Sequence, residues 1–174
     1  AGFAKTLEPF RKEIEHQKVL VLGAGGSARA VIYTLMKNYK VNEIIIFNRT
    51  KERALQLIKD FAALRPEVSL RYASAGEIAK LSARLVINAT SVGLASGECL
   101  VKPDFFNSGM IAYDLVYDPA ETTFLRFARA AGATAINGVE MLTEQAAAAF
   151  FLWTQKAMPV ETIKKNLRKK VDNH

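Results

Sequence analysis

Short runs of apolar residues alternate with segments of helical periodicity along most of the chain. Continuous runs rich in Val and Ile predict strands that are covered on both faces. The predicted strands are Val19–Leu22, Glu43–Phe47, Val68–Tyr72, Leu85–Asn88, Met110–Asp114 and Ala133–Ile136. Helical patterns predict helices at about 5–15, 27–38, 51–62, 75–81, 121–131, 139–157 and 160–171.

This alternation of strands and helices predicts an α/β fold. Connections between parallel strands are right-handed and place helices on both faces of a sheet. The expected architecture is a doubly wound, mostly parallel six-stranded sheet of the Rossmann type, with extra helices at both ends of the chain. The stretch 93–109 is interpreted as a long loop with a short helix after Pro103.

Composition narrows the possible functions. Half of the 174 residues are hydrophobic, which is enough to bury one full core. The sequence has no apolar run long enough to cross a bilayer and no recognisable signal peptide, so we expect no membrane partner. The single Cys99 excludes an internal disulfide and favours a reducing compartment, most simply a cytoplasmic location. One Cys and two His cannot form a zinc site by themselves.

The formal net charge is +7, and much of the excess lies in the basic run 164–170. Such runs are usually solvated helix faces. No nucleic-acid-binding motif and no stacking aromatic residues accompany the basic residues, so no nucleic-acid partner is predicted. A phosphorylated small molecule explains the remaining positive charge more simply.

The first predicted strand runs directly into Gly23-Ala24-Gly25-Gly26-Ser27-Ala28, and a helix pattern follows. In this G-x-G-x-x-[GA] match, Gly23 permits a tight turn, Gly25 lets the backbone approach a pyrophosphate, and Ala28 lets the helix pack close to the strand. The helix N-terminus offers free N–H groups to the phosphates. Tight strand–helix turns also recur for structural reasons alone, but the position within a βαβ unit favours dinucleotide binding.

The end of the second predicted strand favours NADP over NAD. An Asp or Glu there would accept from the ribose 2′-hydroxyl and repel a 2′-phosphate. This strand instead ends in Asn48, Arg49 and Thr50, with Lys51 and Arg53 close behind. The planar donor fork of Arg49 suits a phosphate, and Thr50 is expected to cap the next helix and donate to the phosphate. The structural alternative is an ordinary N-cap followed by a solvated helix turn.

Two later strand ends carry polar residues. Residues 88–93 follow the fourth strand, where Asn, Thr and Ser side chains either face a ligand crevice or simply cap a turn. Tyr117 leaves the fifth strand just before Pro119, which ends strand pairing. Tyr117 is therefore expected on a loop over the crevice, although packing is the more common role of such a residue.

The last long predicted helix combines a polar residue with apolar ones. Gln145 shares a helical face with Met141, Ala148 and Trp153. Its amide would either bind a hydroxylated ligand or lie at the surface. Residues 150–153 place apolar side chains all around the helix, so other parts of the protein are expected to pack against it on more than one side.

Five segments, taken in order, resemble the cofactor-binding half of the shikimate dehydrogenase family. They read GAGGSARA, NRTKER, INATSVG, YDLVYDPAETTFL and NGVEMLTEQAAAAFFLW. The resemblance covers nearly the whole chain, and the segment from Gly138 to Gln145 makes it specific. It implies reversible hydride transfer between NADPH and 3-dehydroshikimate, giving shikimate.

The resemblance also implies roles for individual residues. The family's phosphate loop corresponds to Gly23, Ala24, Gly25, Gly26 and Ser27, of which Ser27 replaces a more usual Ala. The clamp for the adenosine phosphate corresponds to Asn48, Arg49, Thr50 and Arg53. The nicotinamide end corresponds to Ala89, Thr90, Ser91, Leu115, Gly138 and Met141. The residues that reach the substrate correspond to Tyr117 and Gln145.

By the same resemblance, the family's catalytic Lys and Asp belong to an N-terminal substrate domain, in which the Asp closely precedes a Gly-Phe-like pair. This sequence begins Ala1-Gly2-Phe3. We therefore expect residues 1–17 to form a linking helix from a missing N-terminal domain, 18–137 to form the NADP-binding domain, and 138–174 to pack back on the sheet and towards the missing domain.

Three expectations follow from this division. The chain would carry no catalytic residue and would bind NADP(H) without turnover. Shikimate or 3-dehydroshikimate would bind only together with the missing domain. Apolar surface around Leu7–Phe10 and Phe150–Trp153 would be left exposed and would favour self-association.

The sequence leaves three alternative functions open. Glutamyl-tRNA reductase can carry a Gly-rich loop and an NRT-like strand end. It should lack the loop that carries Tyr117 and the helix from Gly138 to Gln145. A quinate or shikimate dehydrogenase paralogue is harder to separate, because substrate choice lies largely in the other domain. A non-catalytic NADP-sensing module belongs to a different functional class.

Overall fold

A computed structural model of the chain places six strands in one parallel sheet and describes residues 2–64, 66–94 and 97–171. The strands are β1 Lys18–Leu22, β2 Glu43–Phe47, β3 Ser69–Tyr72, β4 Leu85–Asn88, β5 Ile111–Asp114 and β6 Thr134–Ile136. Their order is β3-β2-β1-β4-β5-β6, and every neighbouring pair is parallel. The predicted doubly wound α/β fold is confirmed, and the described sheet is entirely parallel.

Eight α-helices accompany the strands in the described ranges. They are α1 Gly2–Leu7, α2 Arg11–Ile14, α3 Gly26–Asn38, α4 Lys51–Ala62, α5 Ala75–Ile78, α6 Thr123–Ala130, α7 Val139–Thr154 and α8 Val160–Val171. The first predicted helix is divided by a 3-10 turn at Glu8–Phe10, where Pro9 lacks an N–H group for an α-helical hydrogen bond. A second 3-10 turn, Pro103–Phe105, confirms the short helix predicted after Pro103.

Several helix boundaries differ from the prediction, and two of these differences have a local reason. Helix α6 begins at Thr123, because the Leu125 N–H donates to Thr122 Oγ1 at 3.3 Å and so caps the helix. Helix α7 ends at Thr154, because Gln155 adopts a left-handed conformation with φ of 56°. Helix α5 ends at Ile78, well before the predicted residue 81.

The hydrophobic core lies on both faces of the sheet. Val19 and Val21 of β1 point to one face, and Leu20 and Leu22 point to the other. Helices α1, α3 and α4 cover the first face, and the chain around α5 and α6 covers the second. Leu7 is completely buried on the first face, so the expectation that it would be exposed was wrong. Its helix α1 packs against α7 and α3.

Tyr113 lies at the centre of this packing. Its side chain is completely buried, its hydroxyl lies 2.8 Å from Thr6 Oγ1, and its ring meets the Phe3 ring edge-on at 5.2 Å. Burial raises the pKa of Tyr113 to about 12, because the phenolate would lose its hydration in the core.

This pKa predicts a loss of stability at alkaline pH. The unfolded chain releases the phenolic proton near pH 10, whereas the folded chain keeps it up to about pH 12. Stability therefore falls as pH rises between these values, and Tyr113 contributes about 1.4 kcal/mol of that fall per pH unit. Urea denaturation at several pH values checks this. Tyr113→Phe should reduce the slope above pH 10. Equal slopes in the wild type and Tyr113→Phe would contradict it.

In the described ranges, no helix combines the length and apolar character needed to span a bilayer.

Candidate functional site

The strand order reverses between β1 and β4, and the carboxyl ends of these strands border a cavity of about 390 Å³, here called the β1–β4 cavity. Ligands of open α/β sheets bind at this edge. Its lining residues are Gly23, Ala24, Gly25, Phe47, Asn48, Arg49, Thr50, Arg53, Ala89, Thr90, Ser91, Val92 and Leu100. Ten of the predicted site residues thus lie around one cavity: Gly23, Ala24, Gly25, Asn48, Arg49, Thr50, Arg53, Ala89, Thr90 and Ser91.

The glycine-rich turn after β1 has the conformation that the motif predicts. Gly23 has φ of +115°, and its N–H donates to Phe47 O at 2.7 Å. A Cβ at Gly23 would lie 2.9 Å from Ala89 O, so a side chain fits neither the backbone angle nor the space. A Cβ at Gly25, in contrast, would meet no described atom within 4 Å. Gly23 is therefore required by the protein itself, and Gly25 keeps space open in front of the turn.

The N-terminus of α3 faces this space. The N–H groups of the first turn of a helix have no intrahelical acceptor, and no side chain caps them at Gly25. Together with the positive end of the helix dipole, they suit an anion. Ala28 is completely buried under this turn, where its small size permits close packing.

The cationic residues after β2 separate into two groups. Arg49 and Arg53 line the β1–β4 cavity, and neither guanidinium has a hydrogen-bond or ion-pair partner in the described part of the chain. The Lys51 ammonium instead lies 5.6 Å from the centroid of the Tyr72 ring and does not line the cavity. The guanidinium groups of Arg49 and Arg53 are therefore available to bind a phosphate near the end of β2.

Asn48 and Thr50 shape the turn that carries Arg49. Asn48 Nδ2 donates to Thr50 O at 2.8 Å and so closes the turn. Thr50 occupies the N-cap position of α4, but its side chain makes no capping hydrogen bond, so that part of the prediction was wrong. The Thr50 hydroxyl therefore makes no capping hydrogen bond that would compete with a ligand.

A second cavity of about 350 Å³ lies between α3 and α7 and is here called the α3–α7 cavity. Its lining residues are Phe3, Gly26, Ser27, Ala30, Val31, Thr34, Leu115, Met141 and Gln145. The two cavities meet the same helical turn, because Gly25 lines the first and Gly26 lines the second. The α3–α7 cavity brings Leu115, Met141 and Gln145 together, as the resemblance predicts.

Two predicted site residues line neither cavity. Tyr117 lies on the loop after β5 with 45% of its surface exposed. Gly138 is buried, and a Cβ there would lie only 2.3 Å from Leu115 O. Its N–H donates to Val116 O at 3.1 Å. The lack of a side chain at Gly138 thus allows α7 to pack closely against the turn after β5.

A buried polar network joins the ends of β4 and β5. Asn88 Oδ1 accepts from the Thr90 hydroxyl at 2.6 Å, and Asn88 Nδ2 donates to Asp114 Oδ1 at 2.9 Å. Thr122 Oγ1 donates to Asp114 Oδ2 at 2.6 Å. Burial raises the pKa of the Asp114 carboxyl, and the hydrogen bonds from Thr122, the Val116 N–H and Asn88 oppose this rise. Asn88 and the Thr90 hydroxyl therefore stabilise the turn after β4. Capping of this turn is the structural role that the sequence left open beside ligand binding.

Several residues that line the cavities were missed by the sequence analysis. Phe47 is the last residue of β2, and its position directly before Asn48 could have identified it. Leu100 belongs to a long loop without periodicity, so no local pattern places it at the end of β4. Phe3, Ala30, Val31 and Thr34 line the second cavity through the packing of α1 against α3. Among the described residues, no group of three or more His, Cys, Asp or Glu could hold a metal ion.

Comparisons with known proteins agree with this geometry. Residues 5–95 match the family model described as Shikimate / quinate 5-dehydrogenase, and residues 138–168 match the one described as Shikimate 5'-dehydrogenase C-terminal domain. The shikimate dehydrogenase (NADP(+)) of Salinibacter ruber is 42% identical over 175 residues, which cover 97% of this chain and 61% of that protein. The chain thus spans about 61% of the length of this relative.

Solved structures share the fold over nearly the whole chain. Shikimate 5-dehydrogenase from Listeria monocytogenes, in complex with shikimate and NAD, has a TM-score of 0.84 at 30% identity and covers 95% of this chain and 61% of its own. The Thermus thermophilus shikimate 5-dehydrogenase, in complex with NADP(H) and shikimate, has a TM-score of 0.78 at 35% identity, with 97% and 60% covered.

Proposed function

Because the chain belongs to the shikimate/quinate dehydrogenase family, we propose that it binds NADP(H) as the cofactor part of a shikimate dehydrogenase. The single observation that carries this proposal is the pair Arg49 and Arg53, which line the β1–β4 cavity and whose guanidinium groups have no partner among the described residues. No acidic residue lines this cavity in the described part of the chain. A ribose 2′-phosphate would find two cations and no repelling carboxylate there.

The remaining lining residues fit the other parts of the cofactor. The uncapped N–H groups of α3 and the open space at Gly25 suit a pyrophosphate. Leu115 and Met141 of the α3–α7 cavity offer an apolar surface for the nicotinamide half. When bound, NADPH supplies the hydride for reduction of a carbonyl group. The chain's own groups bind and orient the dinucleotide across the two cavities.

Substrate contact is proposed for Gln145 and Tyr117. Gln145 lines the α3–α7 cavity and is an exposed residue, and an amide side chain can bond to a hydroxyl group. Tyr117 is exposed on the neighbouring loop. We propose that these residues meet shikimate or 3-dehydroshikimate only when a substrate domain supplies the other contacts. Quinate is the second candidate substrate, because the family model that matches residues 5–95 covers both dehydrogenases.

The experiment that tests cofactor binding is a parallel fluorescence titration with NADPH and NADH. Wild-type protein is expected to bind NADPH more tightly. Arg49→Ala should weaken NADPH binding by about 2 kcal/mol, or about 30-fold, because a charge-assisted contact to the phosphate is lost. Binding of NADH, which lacks this phosphate, should change little.

Lys51→Ala is the matched control for Arg49→Ala. It also removes one exposed cation from the same turn, but the Lys51 ammonium lies over the Tyr72 ring and outside the cavity. Its effect on NADPH affinity should be small. Equal affinity of the wild-type protein for NADPH and NADH would refute the phosphate site.

A further inference from the structure

We propose that Asp114 is a positioning residue for the nicotinamide half of the cofactor, an inference that rests on the proposed function. Asp114 is completely buried and lines neither cavity. It can therefore act on the site only through its neighbours. The turn that follows it carries Leu115, which lines the α3–α7 cavity.

Three donors meet at the Asp114 carboxylate. The Val116 N–H donates to Oδ1 at 3.0 Å, and Asn88 Nδ2 donates to the same oxygen at 2.9 Å. Thr122 Oγ1 donates to Oδ2 at 2.6 Å. An ionised carboxylate only accepts hydrogen bonds, so it suits all three donors at once. These bonds fix both ends of the chain segment 116–122.

The same turn fixes the start of α7. Val116 O accepts from the Gly138 N–H at 3.1 Å, and Gly138 lies directly against the Leu115 carbonyl. Met141 follows in the first turn of α7 and lines the α3–α7 cavity together with Leu115. The carboxylate therefore controls the position of the two apolar residues that would face the nicotinamide half.

The turn at the β1–β4 cavity is held by other bonds. Asn88 Oδ1 accepts from the Thr90 N–H at 3.2 Å and from the Thr90 hydroxyl at 2.6 Å. Asn88 Nδ2 also donates to Val92 O at 3.1 Å. None of these bonds includes a carboxylate oxygen, although Asn88 Nδ2 also donates to Asp114 Oδ1. The Arg49 turn at the adenosine end is closed by the bond from Asn48 Nδ2 to Thr50 O, which does not involve Asp114. Loss of the carboxylate is thus expected to affect the nicotinamide half of the site more than the adenosine half.

The test compares NADPH with adenosine 2′,5′-bisphosphate, which carries the adenosine end and its 2′-phosphate but no nicotinamide. Asp114→Ala should weaken NADPH binding by at least about tenfold and leave the Kd of the bisphosphate within about twofold of the wild type. Asn88→Ala is the comparison variant. It should weaken NADPH binding at least as much as Asp114→Ala does, because it also releases the Thr90 turn at the nicotinamide end.

Asp114→Asn should restore NADPH binding to within about threefold of the wild type. Its amide oxygen can still accept from Val116 and Asn88, and its amide nitrogen can donate to the Thr122 hydroxyl. A merely destabilising effect would weaken both ligands together and would not produce this selective loss.

Equal losses for both ligands in Asp114→Ala, or no loss for either, would overturn the inference. If Asp114→Ala does not fold by circular dichroism, Thr122→Val takes its place, because it removes one donor to the carboxylate. It should weaken NADPH alone by about fivefold, and unchanged NADPH binding would overturn the inference. Wild-type protein that binds neither ligand would overturn the proposed function, and this inference with it.

Discussion

Replacement of Gly25 by alanine is expected to remove most NADPH binding while leaving the fold intact. The backbone at Gly25 is extended, with φ of −91° and ψ of −165°, and a Cβ there meets no described atom within 4 Å. The new methyl group would occupy the space in front of the uncapped N–H groups of α3, where we propose the pyrophosphate. Loss of two charge-assisted hydrogen bonds at about 1.5 kcal/mol each weakens binding by about 100-fold.

Titration with NADPH and thermal denaturation of the same sample measure both parts of this prediction. Gly76→Ala is the matched control, because a Cβ at Gly76 also meets no described atom within 4 Å and Gly76 lines neither cavity. It should leave NADPH binding unchanged. Wild-type affinity in Gly25→Ala would show that no phosphate approaches this turn.

The second large effect concerns turnover. The 174-residue chain alone is expected to oxidise shikimate at least about 100-fold more slowly than a typical enzyme, which turns over roughly 10 times per second. Hydride transfer must be accompanied by proton transfer at the substrate oxygen. Among the described residues that line the two cavities, the only titratable ones are Arg49 and Arg53. A guanidinium stays protonated near neutral pH, so it cannot accept the proton that the substrate hydroxyl releases.

Formation of NADPH from NADP⁺ and shikimate, followed by absorbance, measures this rate. Addition of a separately expressed substrate domain from a family member should raise it if the chain is the cofactor part of an enzyme. No increase would favour an NADP-sensing module. The matched control is the same mixture with Gly25→Ala, which should remain slow because NADP⁺ binding is lost. A rate near that of a typical enzyme from the chain alone would refute the prediction.

The strands could be predicted closely, because buried parallel strands are marked by continuous apolar runs. Each observed strand boundary lies within one residue of the predicted one. The helix ends were less accurate, because they depend on single contacts. The cap at Thr122 and the left-handed Gln155 leave no trace in the hydrophobic pattern.

The β1–β4 cavity could be predicted largely from sequence, because its glycine turn and the Arg49 turn are each formed by residues close together in the chain. Contacts that join distant segments could not be predicted. Leu100 reaches the cavity from a long loop, and Lys51 is placed by the Tyr72 ring on the next strand. The role of Gly138 depends on the Leu115 carbonyl, which no periodicity shows.

The apolar residues at the end of α7 are exposed, as the sequence predicts, whereas Leu7 at the end of α1 is buried. Phe151, Leu152 and Trp153 are 51%, 71% and 84% exposed. Leu7 is buried because α1 packs against α3 and α7 and adds to the core of the sheet. An apolar run near a chain end therefore does not by itself predict an uncovered surface.

The uncapped first turn of α3 has a consequence for how this chain can change through mutation. Its anion-binding groups belong to the peptide backbone, which every amino acid except proline supplies. Substitutions here can obstruct the phosphates but cannot delete the donors. Preference for one adenine nucleotide over another, in contrast, is proposed to depend on the side chains at positions 49 and 53. Under the proposed function, the backbone donors to the phosphates therefore persist through most substitutions, while the choice among adenine nucleotides can be altered by one or two codons.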